Sequence, residues 1–126
     1  MERVRGHETT LRRLSLRDDG YIDGLLADDR RNAEASHLDG RLHALVQVAA
    51  LIAVDATPPS YMEAIAAARR WGATSDEIVG CLIAVLSVVG VARVVSAAPK
   101  VGLALGYDVE SALELLGPLD DDELDD

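Results

Sequence analysis

Apolar positions recur at helical spacing along this chain and almost never alternate as in a half-buried strand, with Ala and Leu dominating the apolar set. Residues 16–28 place Leu16, Ile22, Leu25 and Leu26 on a short amphipathic helix, weakened by Gly20 and Gly24. The polar stretch from Asp28 to His37 reads as a connector or a frayed helix. A buried helix follows from about Gly40 to Val54, where His43 and Gln47 are the polar side chains after Leu42. The run Asp55-Ala56-Thr57-Pro58-Pro59-Ser60 stops it. Thr57 can cap the next helix with Pro58 at its first position, where the missing N–H costs nothing. Alternatively Ser60 caps, and Glu63 closes the box.

Gly72 suits the left-handed end of that helix, and Thr74-Ser75-Asp76-Glu77 forms a capping box that opens an apolar helix over 75–89. The two helices are expected to form an antiparallel hairpin with a very short turn. Gly90 separates the next segment, 91–105, in which Pro99 either kinks the helix or sits in the first turn of a new piece capped by Ser96. Gly106 ends it, and Asp108 caps a last helix, Val109–Leu116, before Gly117-Pro118. The expectation is an all-α protein. It has an N-terminal helical extension over 1–37, a helical domain over 38–117 and an acidic tail over 118–126.

The segments 42–54 and 78–92 are apolar on every face, yet each is shorter than the ~20 residues that span a bilayer. They read as buried helices, and a helix that is apolar all round must be covered all round. One subunit of 126 residues has few other helices with which to cover two of them. Part of their surface is therefore expected against other copies of the chain in a closed symmetric oligomer. The N-terminal Met1-Glu2-Arg3-Val4-Arg5 leads into no apolar run of the kind a signal peptide carries.

Charge narrows the function classes. The formal net charge of −10 falls almost wholly on residues 108–126, which hold nine acids and no base. Residues 119–126 read as a solvated tail. With no Phe and with Trp71, Tyr21, Tyr61 and Tyr107 as the aromatic residues, the chain has neither the basic footprint nor the stacking platform of a nucleic-acid binder. A helix-turn-helix reading around Arg69-Arg70 fails because Asp76 and Glu77 would open the recognition helix toward phosphate. The single cysteine, Cys81, excludes an internal disulfide, a CxxC pair and a thiolate zinc cluster. A cytoplasmic setting with no metal, no cofactor and no membrane partner is expected.

The middle of the chain, about residues 38–107, resembles the carboxymuconolactone decarboxylase family, which includes the AhpD alkylhydroperoxidases. The resemblance rests on the apolar helix 42–54, on Ala66-Ala67-Ala68-Arg69-Arg70-Trp71-Gly72-Ala73-Thr74-Ser75-Asp76-Glu77-Ile78, and on Gly90-Val91-Ala92-Arg93. It implies an all-α fold assembling as trimers or hexamers. It also implies a peroxidase motif C-x-x-C-x-x-x-H, which counting back from Gly72 places at Thr57, Ser60 and Ala64, with Leu45 at a catalytic Glu position. All four positions differ. Hydroxyls do not cycle through a disulfide, and Ala64 and Leu45 relay no proton, so thiol peroxidase chemistry is not expected. The decarboxylase branch needs a cation for substrate carboxylates and an acid to reprotonate an enolate carbon. Arg93 supplies the first, and the second has no evident owner.

Five residues are candidate ligand contacts: Thr57, Ser60, Tyr61, Arg93 and His43. Arg93 offers a planar fork to a carboxylate, or forms an ion pair with Asp55, Glu63 or a neighbouring subunit. His43 with Gln47, four residues apart, orients a ligand or makes a hydrogen-bonded core or interface pair. Tyr61 lends a phenol to a pocket or belongs to the core. Helix capping accounts for Thr57 and Ser60 without any site. Cys81 reads as a small inert hydrophobe. Two function classes follow: a small-molecule lyase or binder for an acidic lactone or enolisable compound, and a non-catalytic oligomeric scaffold of the same fold.

Overall fold

The computed structural model describes residues 6–116 and is helical, with no strand among them. The expected acidic tail and the extreme N-terminus lie outside the described residues. The chain divides into two compact units after Asp39.

The first unit contains α1 (Gly6–Ser15), α2 (Asp19–Ala27) and α3 (Asp29–Ser36), and none of the three contributes a buried residue. The helix α1 falls within the N-terminal stretch 1–37 expected to be helical, although the apolar pattern marks no separate helix before residue 16. The stretch taken as a connector or frayed helix is α3, because Asp28 caps it by accepting from the backbone N–H of Arg30 at 3.0 Å and of Arg31 at 3.4 Å. Asp18 caps α2 through the Tyr21 N–H, and the Arg13 guanidinium lies 5.0 Å from the Tyr21 ring centroid.

The second unit contains α4 (Gly40–Ala53), α5 (Pro58–Arg70), α6 (Ser75–Val89), α7 (Val91–Ala104) and α8 (Val109–Leu116). Punctuation residues set most of these bounds. At α6 both halves of the Thr74–Glu77 capping box form. At α5 the helix begins at Pro58, but the Thr57 hydroxyl makes no cap bond. Pro59 has no N–H to offer, and the Ser60 N–H donates to the Thr57 carbonyl instead. Pro99 lies inside one helix, with no restart at Ser96. The carbonyl that Pro99 leaves without a helical donor belongs to Val95, an exposed residue.

The helix pairing differs from the expected α5–α6 hairpin. The substantial packing partners are α4 with α5, α6 with α7, α4 with α6 and α5 with α7. Two helix pairs, α4–α5 and α6–α7, are thus stacked on each other. Arg41 on α4 ion-pairs with Glu77 on α6, and the Cys81 thiol donates to the Leu45 carbonyl at 3.6 Å. Both contacts span 36 residues, so α4 and α6 run parallel and in register. The same offset relates the buried Tyr61 and Ile65 of α5 to the buried Ala97 and Val101 of α7.

A Schellman end at Gly72 turns the chain without laying α6 on α5, since Ala73 N–H bonds the Ala68 carbonyl and Gly72 N–H the Arg69 carbonyl. The apolar α6 is covered on one side by α4 and α7 together. The core is a single cluster of Val48, Ile52, Tyr61, Ile65, Ala68, Ile78, Cys81, Leu82, Ala97 and Val101 with smaller neighbours. Burial of each large aliphatic side chain stabilises by roughly 1.5–3 kcal/mol.

The outward side of α6 stays uncovered. Val79, Ile83 and Leu86 follow helical spacing along it, Ile83 is 72% exposed, and no charged residue occurs on α6 after Glu77.

Candidate functional site

Three helix ends in the second unit share one backbone design. At Gly72 and Gly106, with φ of 89° and 87°, the residue after the helix turns left-handed, and two backward N–H bonds satisfy the last carbonyls. The end of α4 does the same with Asp55, at φ 52°: Asp55 N–H bonds the Ile52 carbonyl and Ala56 N–H the Leu51 carbonyl. Glycine takes this conformation without steric cost, whereas a residue with a Cβ does not. A carboxylate there also opposes the negative end of the helix dipole. Relative to glycine Asp55 is the costlier residue for this turn, although Asp tolerates it, and Arg17 and His37 adopt the same region at φ 53° and 59°.

What holds Asp55 is the facing stripe of α7. Arg93, Ser96 and Lys100 are spaced by three and four residues and so share one helix face. The Ser96 hydroxyl donates to Asp55 Oδ1 at 2.8 Å, and Lys100 Nζ donates to the same oxygen at 3.3 Å and to the Ala56 carbonyl at 2.9 Å. Arg93 Nη1 stands 4.0 Å from Asp55 Oδ2, an ion pair longer than a hydrogen bond, and its side chain is 48% exposed. These partners, the Ser96 hydroxyl first and the two cations after it, hold the Asp55 carboxyl below the usual carboxylate range. Two cations face one carboxylate, which leaves a local charge of +1.

Tyr61, on the first turns of α5, feels the charge of Asp55. Its ring is fully buried in the core, and its hydroxyl has no hydrogen-bond partner in the protein. Burial first, and the neighbouring Asp55 charge second, push the phenol above its ordinary value, so it stays neutral and able to donate.

Of the five candidates, Arg93 meets Asp55 at 4.0 Å, and Tyr61 is buried in the core where it feels the Asp55 charge. Thr57 and Ser60 lie nearby in sequence, on the link and the first turn of α5, and both are exposed. His43 stands apart. It is half-buried on the first turns of α4, about 18 Å of helix rise before Asp55. The sequence reading did not single out Ser96 or Lys100 as site residues. The available signal was the i, i+3, i+7 spacing of Arg93, Ser96 and Lys100 on a helix otherwise without charge.

The Cys81 thiol is buried and bonded to carbonyls, and burial raises its pKa, which suits a core residue and not a nucleophile. No group of three or more His, Cys, Asp or Glu side chains among the described residues could hold a metal ion. No described helix is long and apolar enough to cross a membrane. Comparison of the chain with protein-family models, with curated proteins and with solved structures finds no match.

Proposed function

We propose that this chain is a carboxymuconolactone decarboxylase-like protein that binds small organic carboxylates, of the acidic lactone or enolisable type, beside Asp55. The observation that carries this reading is the excess of cation over anion where Arg93 and Lys100 of α7 face the single carboxylate of Asp55. Arg93 offers the planar fork that fits a carboxylate and is the more solvent-accessible of the two cations. For a lyase acting on such a compound, Tyr61 is the neutral hydroxyl that feels the Asp55 charge. Thr57 and Ser60 are exposed hydroxyls on the link and the first turn of α5, and the one cysteine, Cys81, is buried, so thiol peroxidase chemistry is not expected. The test is calorimetric titration with succinate and benzoate. Binding that disappears in Arg93→Gln and in Lys100→Gln supports the reading, whereas no binding up to high millimolar ligand overturns it. Peroxide turnover abolished by alkylation of Cys81 would also overturn it.

A second reading, a homotrimeric or hexameric scaffold, is favoured by the uncovered face of α6. Ile83 and its neighbours Val79 and Leu86 are apolar and exposed on a face without charge, and covering them against other copies adds stabilisation in proportion to the area removed from water. Ile83→Glu is expected to lower the molar mass found by light scattering to that of one chain. A single-chain mass for the unaltered protein in dilute solution refutes self-association.

A further inference from the structure

The same cluster also contains a carboxylate that nothing in the backbone design requires. Asp55 occupies the position that Gly72 and Gly106 fill at the equivalent ends of α5 and α7, with the same pair of backward N–H bonds. At the negative end of a helix its charge is unfavourable, and in the left-handed conformation it is costlier than glycine, though tolerated. Its side chain lies where an incoming carboxylate would lie, against Lys100 Nζ and Ser96 Oγ at hydrogen-bond distance and within 4.0 Å of Arg93 Nη1. Lys100 is also tied to the Ala56 carbonyl, so it does not swing away to follow a ligand. Arg93, held only by the longer contact and half-exposed, is the cation left open to a second anion.

We propose that Asp55 is a built-in occupant of the anion site: its carboxylate competes with external carboxylates for Arg93 and Lys100 and sets the affinity at which they bind. The inference rests on the carboxylate-binding reading above. A ligand carboxylate on Arg93 comes to lie within a few ångströms of Asp55 and is repelled by it. Neutralising Asp55 removes that repulsion and leaves Arg93 and Lys100 without their carboxylate partner. A unit charge about 4 Å away, screened as at a wet surface, changes binding by about fivefold, and the effect shrinks as salt rises.

The experiment titrates benzoate into the unaltered protein, Asp55→Asn and Asp55→Gly by calorimetry, at low and at high salt. Asp55→Asn preserves side-chain shape and removes the charge. Asp55→Gly places in the turn the residue that the same turn carries at two other helix ends. Thermal melts confirm that each variant is folded. The expected result is binding about fivefold tighter in both variants at low salt, with the gain fading at high salt and lost when Arg93→Gln is added. Measurable binding to the unaltered protein that is equal or weaker in both variants overturns the competitor role while leaving the anion site in place. Absence of binding to all three proteins removes the site itself, and the competitor role with it.

Discussion

Replacing Tyr61 by Phe should make the protein more stable. The ring is fully buried among Val48, Ile52, Ile65 and Val101, and Phe keeps every ring contact. The change deletes one hydroxyl that lies out of water with no partner. A buried polar group left unpaired costs about 1–3 kcal/mol, and the void left by one oxygen returns part of that, so the expected net gain is about 1 kcal/mol. For a chain of this length that corresponds to a rise in Tm of about 4 °C. Urea denaturation followed by circular dichroism should move its midpoint upward with an unchanged slope, as befits a change in stability without a change in buried surface. Tyr61→Ala provides the scale, since removing the ring leaves a cavity and is expected to cost about 3–5 kcal/mol. A Phe variant less stable than the parent by about 1 kcal/mol or more would refute the reasoning, because the hydroxyl would then have a partner in solution. If the same variant is stabilised but binds benzoate more weakly, the hydroxyl's partner is the ligand.

Other changes test the remaining features. Thr74→Ala breaks a formed cap and should cost about 1 kcal/mol in chemical denaturation, while Thr57→Ala, whose hydroxyl caps nothing, should stay within about 0.5 kcal/mol of the parent. Gly40→Ala would drive a Cβ into the ring of Trp71. The ring, already 61% exposed, should be pushed further into water, giving red-shifted emission from the single tryptophan and a loss of about 1–3 kcal/mol. Asp55, Glu77 and Asp108 all have lowered pKa values in the folded chain. The stability they contribute is complete above the ordinary carboxylate range and is lost as pH falls through their lowered values, so melts should soften below about pH 4. Tyr61 and Cys81 are raised. Their contribution is complete below the ordinary thiol and phenol values and is lost on strong alkalinisation, which a melt series at rising pH would detect.

The helix ends of the second unit were legible because the signals are local. Proline at the start of α5, the Thr74–Glu77 box, and glycines at 72, 90 and 106 each act within four residues, so reading them needs no partner. The helix α3 was harder to read because its polar composition resembles a connector, and only the Asp28 cap distinguishes it. Whether Pro99 kinks or restarts α7 could not be decided locally. Its outcome turns on whether the carbonyl of Val95 faces water, which depends on the surroundings of the helix.

Sequence by itself determined that the chain is helical, where most helices of residues 40–116 begin and end, and that α4 and α6 are rich in apolar side chains. Tertiary structure alone decided that α4 pairs with α5 and α6 with α7, that α6 lies in parallel register with α4, and that Asp55 meets Ser96 and Lys100 more than 40 positions away. The reason is one of range. Caps and turns are fixed by hydrogen bonds a few residues long, whereas pairing is fixed by which apolar faces fit together, and an Ala-rich helix offers several nearly equivalent faces.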